Sequence, residues 1–205
     1  MTPLASPAGQ DRIAKAIAEV EALTSAELAV TVRALSGNYG RAHALCGFAL
    51  VEAALIAVAV RPQLVARAWL LPVIGLAAFV LGALLGRAAP LRRLFTSTRR
   101  QRSNVLSAAR SCFVELGVSR TSRRTGILIF ASRLEREIAA VVDTAVPTKA
   151  LGPVWTRAQD AMRVALERDD AEAFALAVGM LGPALADALP QGEQDQNELS
   201  DAPRV

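Results

Sequence analysis

Two long apolar stretches, AHALCGFALVEAALIAVAV (residues 42–60) and AWLLPVIGLAAFVLGALLG (residues 68–86), determine how the rest of the chain is organised. As an α-helix, each stretch would span roughly 28 Å, close to the ~30 Å hydrocarbon core of a bilayer. A short link, RPQLVAR, joins the two stretches. The pattern predicts a transmembrane hairpin over residues 42–86.

The distribution of arginines predicts how this hairpin is oriented. The link carries Arg61 and Arg67, whereas the two flanks together carry many more basic residues. The arginines of the C-terminal flank are Arg87, Arg92, Arg93, Arg99, Arg100 and Arg102. By the positive-inside rule, both termini lie in the cytoplasm and the link lies outside. Trp69 then lies near a membrane boundary, where indole side chains are favoured.

The basic juxtamembrane segment, residues 87–102, has two possible partners. Basic patches attract the phosphates of nucleic acids, but this segment directly follows a membrane span and has no interleaved aromatic side chains for base stacking. Juxtamembrane arginines set topology and bind anionic lipids. We therefore expect contact with anionic lipids and none with nucleic acid.

Glu52 is the one charged residue within the two apolar stretches. An ionisable side chain at mid-membrane is costly and is a functional hypothesis in its own right. A transport role needs a chain of proton-carrying partners, and two spans supply almost none. The favoured interpretation is a protonated Glu52 that bonds a neighbouring helix or lies in a dimer interface.

Outside the hairpin, the pattern predicts a small α/β domain that the hairpin interrupts. Residues 1–9 are small and proline-bearing, so we expect a flexible N-terminus. Residues 10–40 form the first part of the domain, a helix followed by a strand. The helix has apolar residues at a spacing of three and four, and the strand alternates. These residues are Ile13, Ile17 and Val20 in the helix and Leu28, Val30 and Val32 in the strand.

Residues 103–190 are predicted to complete the α/β domain. We expect a helix ending near Gly117, a central strand, an antiparallel strand after a short turn, and two further helices. The strands cover 127–131 and 137–143, and the last helices cover 154–168 and 171–189. A helix and strand alone could not fold, so the two parts of the domain must pair. The polar segment 191–205 is predicted to be a disordered tail.

The composition excludes several classes of site. The chain has 205 residues, 53% of them hydrophobic, a net charge of +4, one histidine and two cysteines. Cys46 and Cys112 fall in different predicted environments, so we expect no disulfide between them. With one histidine and no ligand spacing, a zinc or heme site is excluded.

The order of these elements resembles the TPM-domain family, known from a plant thylakoid-lumen protein and from bacterial membrane proteins. The resemblance rests on TSAELAV (24–30), RTGILIFAS (124–132), EREIAAVVDTAV (135–146), the helix around Trp155, the DDAEAFA helix start and NELSDAP (197–203). The last is similar to a tail in a subgroup whose domain is split by a membrane hairpin. The family's glycine-rich segment after the third strand is replaced here by TAVPTKA.

This resemblance implies a small mixed sheet flanked by helices and a place in the bacterial inner membrane. Some members are linked to acid phosphatase activity, to calcium binding, or to assembly and repair of membrane complexes. For this chain, the resemblance implies a divalent-metal-assisted phosphatase as an alternative function.

Four residues of the α/β domain are candidates for chemistry: Glu27, Glu135, Arg136 and Asp143. Glu27 and Asp143 fall at predicted strand ends, where carboxylates gathered at one edge of a sheet can hold Ca²⁺ or Mg²⁺. Such a metal can polarise a phosphate ester. The competing interpretation is that each carboxylate ends a strand in solvent or caps a helix, and calcium sites usually have a denser acidic cluster.

Taken together, the sequence predicts an integral membrane protein with a cytosolic α/β domain that serves as a membrane-tethered binding or assembly module. Its expected partners are anionic lipids and other membrane proteins. A phosphatase is the alternative, and a transporter that uses Glu52 is a third interpretation.

Overall fold

A computed structural model describes residues 2–61, 63, 67, 69–191, 199 and 203 of the chain. The chain divides into two compact units. The first, the α/β unit, comprises Met1–Ser36 and Arg102–Val205, and the second, the hairpin unit, comprises Gly37–Gln101. Each unit is described by itself.

The described helices and strands follow one another along the chain in this order. They are α1 (Pro7–Glu21), β1 (Glu27–Arg33), α2 (Gly40–Val60), α3 (Leu70–Leu85), α4 (Ala89–Leu94), α5 (Thr98–Glu115), β2 (Gly126–Ser132), β3 (Glu137–Val142), α6 (Thr148–Glu167), α7 (Ala171–Gly179) and α8 (Leu181–Ala188). A short 3₁₀ turn, Val118–Arg120, lies between α5 and β2.

The α/β unit is built on a mixed sheet of three strands in the order β1-β2-β3. β1 pairs with β2 in parallel, and β2 pairs with β3 antiparallel. The predicted central strand and the predicted antiparallel strand are therefore confirmed. Every residue of β2 is buried, because both faces of this strand are covered, which explains its continuous apolar sequence.

The alternation of side chains along the strands separates two apolar cores. Val30 and Ile129 point to one face and join the core formed with α1, α6, α7 and α8. Leu128 and Phe130 point to the other face and pack against Val105, Ala109 and Phe113 of α5. The fold is thus a mixed α/β arrangement with a small sheet and helices on both faces.

The first residues of the chain make specific contacts that the sequence does not predict. Helix α1 begins at Pro7, with Ser6 as its N-cap accepting a hydrogen bond from the Gly9 amide. Leu4 is fully buried, and its amide donates to Asp169 Oδ1 at 3.1 Å. The prediction of a flexible segment over 1–9 is wrong for residues 2–9, because an apolar side chain and a tertiary hydrogen bond fix it.

The later helices differ from the prediction in their starts and breaks. Helix α6 begins at Thr148 and contains a kink at Gly152 (φ 51°), followed by Pro153. The predicted helix over 171–189 is two helices joined at Met180, whose backbone is still helical. The predicted disordered tail over 191–205 falls mostly outside the described residues. Among those described, Pro203 is buried and the Leu199 amide donates to Glu27.

The hairpin unit is formed by α2, α3 and α4. Helices α2 and α3 pack antiparallel, and glycines allow their backbones to approach. A Cβ on Gly82 would come within 2.5 Å of the Cys46 carbonyl oxygen, and one on Gly47 within 2.8 Å of the Phe79 ring. Helix α4, which the sequence analysis did not predict, starts after Ala88 with Pro90 in its first turn.

Two helical stretches of the described chain are long and apolar enough to cross a membrane, Gly40–Val60 and Ala171–Ala188. Helix α3, at 16 residues, is shorter. Length and composition alone do not establish that any of these helices spans a bilayer.

Candidate functional site

Glu27 and Asp143 lie at the same end of the sheet. Glu27 opens β1 opposite Gly126 of β2, and Asp143 follows β3 and donates its amide to the Gly126 carbonyl at 2.9 Å. Cross-strand partners point to the same face of a sheet, so both side chains lie on the face covered by α5. Both residues are buried, at 8% and 7% exposure.

The main chain of Val118 lies over Gly126, on the strand between these two carboxylates. A Cβ added to Gly126 would come within 2.3 Å of the Val118 carbonyl oxygen, so only glycine fits there. Because β2 separates β1 from β3, the Cα atoms of Glu27 and Asp143 are two strand spacings apart, about 10 Å. The Val118 backbone thus lies against the strand that separates the two carboxylates.

Each carboxylate has partners of its own. Glu27 Oε2 accepts a hydrogen bond from the Leu199 amide at 3.2 Å. Asp143 Oδ1 accepts from the Thr144 amide at 2.7 Å and from its hydroxyl at 3.3 Å. Asp143 Oδ2 has no hydrogen bond but lies 3.5 Å from Arg124 Nη1 in an ion pair. With these contacts, each carboxylate lies at the end of a strand and binds groups of neighbouring loop residues.

A calcium ion takes six to eight oxygen ligands, and Mg²⁺ takes six in octahedral geometry. Across the described parts of the chain, no group of three or more histidine, cysteine, aspartate or glutamate residues lies close enough to hold a metal ion. At this end of the sheet, Glu27 and Asp143 are two carboxylates that lie about two strand spacings apart and that each have other partners. The Ca²⁺ or Mg²⁺ that the family resemblance implies stays a prediction.

Three further polar residues lie near Glu27 and Asp143 at this end of the sheet and were not predicted from the sequence: Thr121, Arg124 and Thr125. The Thr125 hydroxyl donates to the Ser25 carbonyl at 2.8 Å and ties β2 to the start of β1. Thr121 is buried, and its hydroxyl has no hydrogen-bond partner among the described residues. Arg124 has φ 58°, an unusual backbone angle for arginine. Serine and threonine residues precede both β1 and β2, in TSAEL and TSRRTG, and this pattern could have indicated a polar end of the sheet.

Glu135 and Arg136 lie at the opposite end of the sheet. They follow Ser132, and the six residue steps from Gly126 to Ser132 span about 20 Å. Glu135 Oε1 accepts from the Ser36 amide at 3.0 Å, and its other oxygen accepts from the Ser132 hydroxyl. Glu135 therefore ties the β2–β3 turn to the end of β1. The four predicted candidates do not form one site.

The predicted membrane-facing residues divide between the two units. In the hairpin unit, Trp69 is 62% exposed just before α3, and the exposed side chain of Glu52 makes no hydrogen bond or ion pair with any described residue. Two of the arginines, Arg92 and Arg93, lie in α4. Arg87 lies in the turn before α4, and Arg99 and Arg100 lie in the first turn of α5.

Arg102 belongs to the α/β unit and differs from the other arginines of the segment. Its Nε donates to Glu137 Oε1 at 2.9 Å, at the start of β3. This hydrogen bond, with the negative charge of Glu137, raises the pKa of Arg102 above its usual value. Arg102 is thus bound to the sheet through Glu137.

Comparison with known proteins supports the fold alone. No protein-family model matches the sequence, and no curated protein matches it. The chain is similar to the NMR structure of BA42 protein from the psychrophilic bacterium Bizionia argentinensis, with a TM-score of 0.59. The similarity covers 97% of this chain and 93% of that one at 14% sequence identity. At this identity, the likeness concerns architecture and carries no information on function.

Proposed function

We propose that this chain is an integral protein of the bacterial inner membrane whose cytosolic, TPM-like α/β unit is a binding or assembly module tethered by the hairpin unit. The observation that carries this proposal is the exposed apolar surface of α2 and α3. Of the 18-residue apolar window in Gly40–Val60, only 11% is buried. Large apolar side chains point outward along both helices: Leu45, Phe48, Leu55, Ile56, Val60, Leu76, Val80, Leu81 and Leu84.

Such a surface is costly in water. A soluble monomer rarely exposes a contiguous apolar patch larger than a few hundred Å². In a bilayer the same side chains are favoured, and the close glycine contacts at Gly47 and Gly82 are those that bring helices together in lipid. The excess of arginine on the flanks supports cytoplasmic termini.

A groove on the α/β unit supports the role of a binding module. Helices α1 and α7 border a groove of about 280 Å³ in which Arg12 pairs with Glu172 at 2.6 Å. Leu176 borders the groove with 68% of its surface exposed, and Met180, one turn later, is 42% exposed. Leu176 and Met180 are exposed apolar side chains beside charged ones, and this is the surface at which we propose that a partner protein binds.

Site-directed labelling tests the topology. In a cysteine-free background, Asn38→Cys and Gln63→Cys introduce thiols before α2 and in the link between α2 and α3. A membrane-impermeant maleimide should label Gln63→Cys in intact cells and Asn38→Cys only after lysis, and carbonate should not extract the protein. Labelling of Asn38→Cys in intact cells, or extraction by carbonate, would contradict the proposal.

Photo-crosslinking tests the binding module. A photoreactive residue at Leu176 should give a discrete crosslinked product in cells, because that side chain lies exposed beside the α1–α7 groove. The same residue at Val164 of α6, which is 41% exposed, is the matched control. Equal products from both positions, or none from Leu176, would count against this surface.

The phosphatase alternative is tested separately on the full-length protein in detergent. Hydrolysis of a generic phosphate ester is measured with Ca²⁺, with Mg²⁺ and with a chelator, for the native chain, Glu27→Ala and Asp143→Ala. Because Glu27 and Asp143 are each engaged by other groups of the protein, we expect no turnover in any condition. If turnover is seen and is abolished by the chelator and by both substitutions, the protein is an enzyme, and the binding-module proposal is contradicted.

A further inference from the structure

An apolar pocket lies within the hairpin unit, where α4 folds back against α2 and α3. Its volume is about 200 Å³, and its lining is almost entirely apolar. Cys46 and Leu50 line it from α2, Gly82 and Leu85 from α3, and Leu91 and Phe95 from α4 and the residue after it.

The pocket continues into the outer surface of the hairpin. Leu85 lines the pocket and is also 51% exposed, and the lining residue Ala49 is exposed as well. Along the hairpin, the neighbouring outward side chains are apolar. A ligand in this pocket therefore has an apolar part that is continuous with the proposed lipid-facing surface.

Basic groups lie beside the same pocket. Arg92 follows the lining residue Leu91 in α4, and Arg87 lies in the turn before this helix. Gly86, the residue before Arg87, lies against α2 beside the lining residue Cys46, because a Cβ on Gly86 would come within 3.0 Å of both the Cys46 Cβ and the His43 Cα. The charges of Arg87 and Arg92 both act on His43. The pocket is thus apolar inside, with basic side chains beside one end.

Two nitrogen atoms at this charged end are unsatisfied. His43 Nε2 and Arg92 Nε are buried, and neither has a hydrogen-bond partner among the described residues. The guanidinium of Arg92 is charged, and a buried charged donor such as its Nε–H costs free energy when it has no acceptor. An anionic oxygen beside α4 would supply the missing acceptor and offset the charge of Arg87 and Arg92.

From this combination, we infer that the pocket is a binding site for an anionic phospholipid. A segment of one acyl chain lies between Leu50, Leu85 and Phe95, and the phosphate lies against Arg92 and Arg87. The inference rests on the proposed membrane insertion and adds to it a defined lipid site. Charge complementarity and continuity with the outer apolar surface favour a lipid over a soluble apolar molecule or a peptide.

The site is tested by native mass spectrometry of the full chain in dodecyl maltoside, titrated with phosphatidylglycerol or with phosphatidylcholine. Arg92→Gln removes the charge beside the pocket, whereas Arg110→Gln removes the same charge from an exposed position of α5, outside both the pocket lining and the basic segment 87–102. We expect the native chain to prefer phosphatidylglycerol. Arg92→Gln should lower that affinity about tenfold, and Arg110→Gln should change it less than about twofold.

A second pair of variants tests the apolar part without touching the charge. Ala49→Phe fills the pocket from an exposed lining position, and Ala53→Phe places the same ring one turn along α2, outside the lining. Ala49→Phe should reduce the retention of both lipids, and Ala53→Phe should not. Thermal unfolding followed by circular dichroism identifies any variant that has lost its fold.

Two results would overturn the lipid site. One is equal affinity of the native chain for the two lipids, and the other is an equal effect of Arg92→Gln and Arg110→Gln together with no effect of Ala49→Phe. The proposed function fails by a different result, namely extraction of the protein by carbonate. A protein that resists carbonate but shows either of the first two results keeps its membrane role and loses only the lipid site.

Discussion

Two apolar helical stretches of this chain pass the same test of length and composition but have opposite surroundings. In Gly40–Val60, 11% of the apolar window is buried, whereas in Ala171–Ala188 the buried share is 44%. Phe174 and Leu185 of the second stretch are fully buried in the α/β core, while Leu55 and Ile56 of the first are more than half exposed. Hydropathy identifies both stretches, and only packing distinguishes a helix buried in a core from a helix most of whose surface is left uncovered.

The largest expected effect comes from truncating the same residue type in both stretches. Leu185→Ala leaves a cavity in the core and should lower the free energy of unfolding by about 2–5 kcal/mol. Leu55→Ala removes a side chain that is 51% exposed and should change it by less than about 1 kcal/mol. Denaturant unfolding in detergent, followed by circular dichroism, measures both. Similar losses would mean that the two stretches have similar surroundings.

Membrane integration provides a second way to separate the two stretches. Leu55→Arg places a charge in the middle of α2 and should cost about 2.5–3.5 kcal/mol of insertion free energy. Leu176→Arg places the same charge on an exposed position of α7 and should leave integration unchanged. The fraction of protein that resists carbonate extraction is the measurement. If only Leu176→Arg abolished integration, the membrane helix would be Ala171–Ala188 and not Gly40–Val60.

A pair of glycines in α3 sharpens the description of the hairpin. Gly82→Ala forces a Cβ against the Cys46 carbonyl and should destabilise the packing of α2 on α3 by about 1–3 kcal/mol. Gly75→Ala has open space around it and should be neutral or slightly stabilising. The thermal midpoint in detergent compares the two. Equal midpoints would show that close approach at Gly82 does not hold the hairpin.

The smallest expected effect concerns the buried hydrogen bonds that Glu135 makes in the α/β unit. Glu135→Gln weakens the contacts to Ser36 and Ser132 and should cost about 1 kcal/mol. Glu19→Gln, at a side chain that is 68% exposed, is the control and should be silent in the same unfolding assay. If Glu135→Gln leaves the free energy of unfolding unchanged, the contacts of Glu135 to Ser36 and Ser132 do not stabilise the sheet.

Much of the architecture followed from periodicity. The alternation in β1, the continuous apolar run of β2 and the short turn before β3 predicted the strands and the antiparallel pair. The parallel pairing of β1 with β2 was not predicted, because nothing local in either strand specifies a partner so distant in sequence. The fixed N-terminus was also missed, since the burial of Leu4 depends on residues near Asp169 that lie far along the chain.

The candidate site could be predicted only in part. Strand ends placed Glu27 and Asp143 at one edge, and the structure brings them to the same end of the sheet. What separates them is the backbone of Val118 above Gly126, and sequence patterns do not reveal where a loop will pack. Glu135 and Arg136 were grouped with them by charge, but the direction of β2 and β3 places this turn at the other end.

The parallel pairing of β1 with β2 has a consequence for biosynthesis. Glu27 meets Gly126, so about 100 further residues must leave the ribosome before the strand has a partner. At 5–20 residues per second, this wait lasts about 5–20 s. During that interval, the apolar edge of β1 is without its neighbour. Molecular chaperones that bind nascent chains therefore have this interval in which to act at residues 27–33, and its length depends on the translation speed across the hairpin and α5.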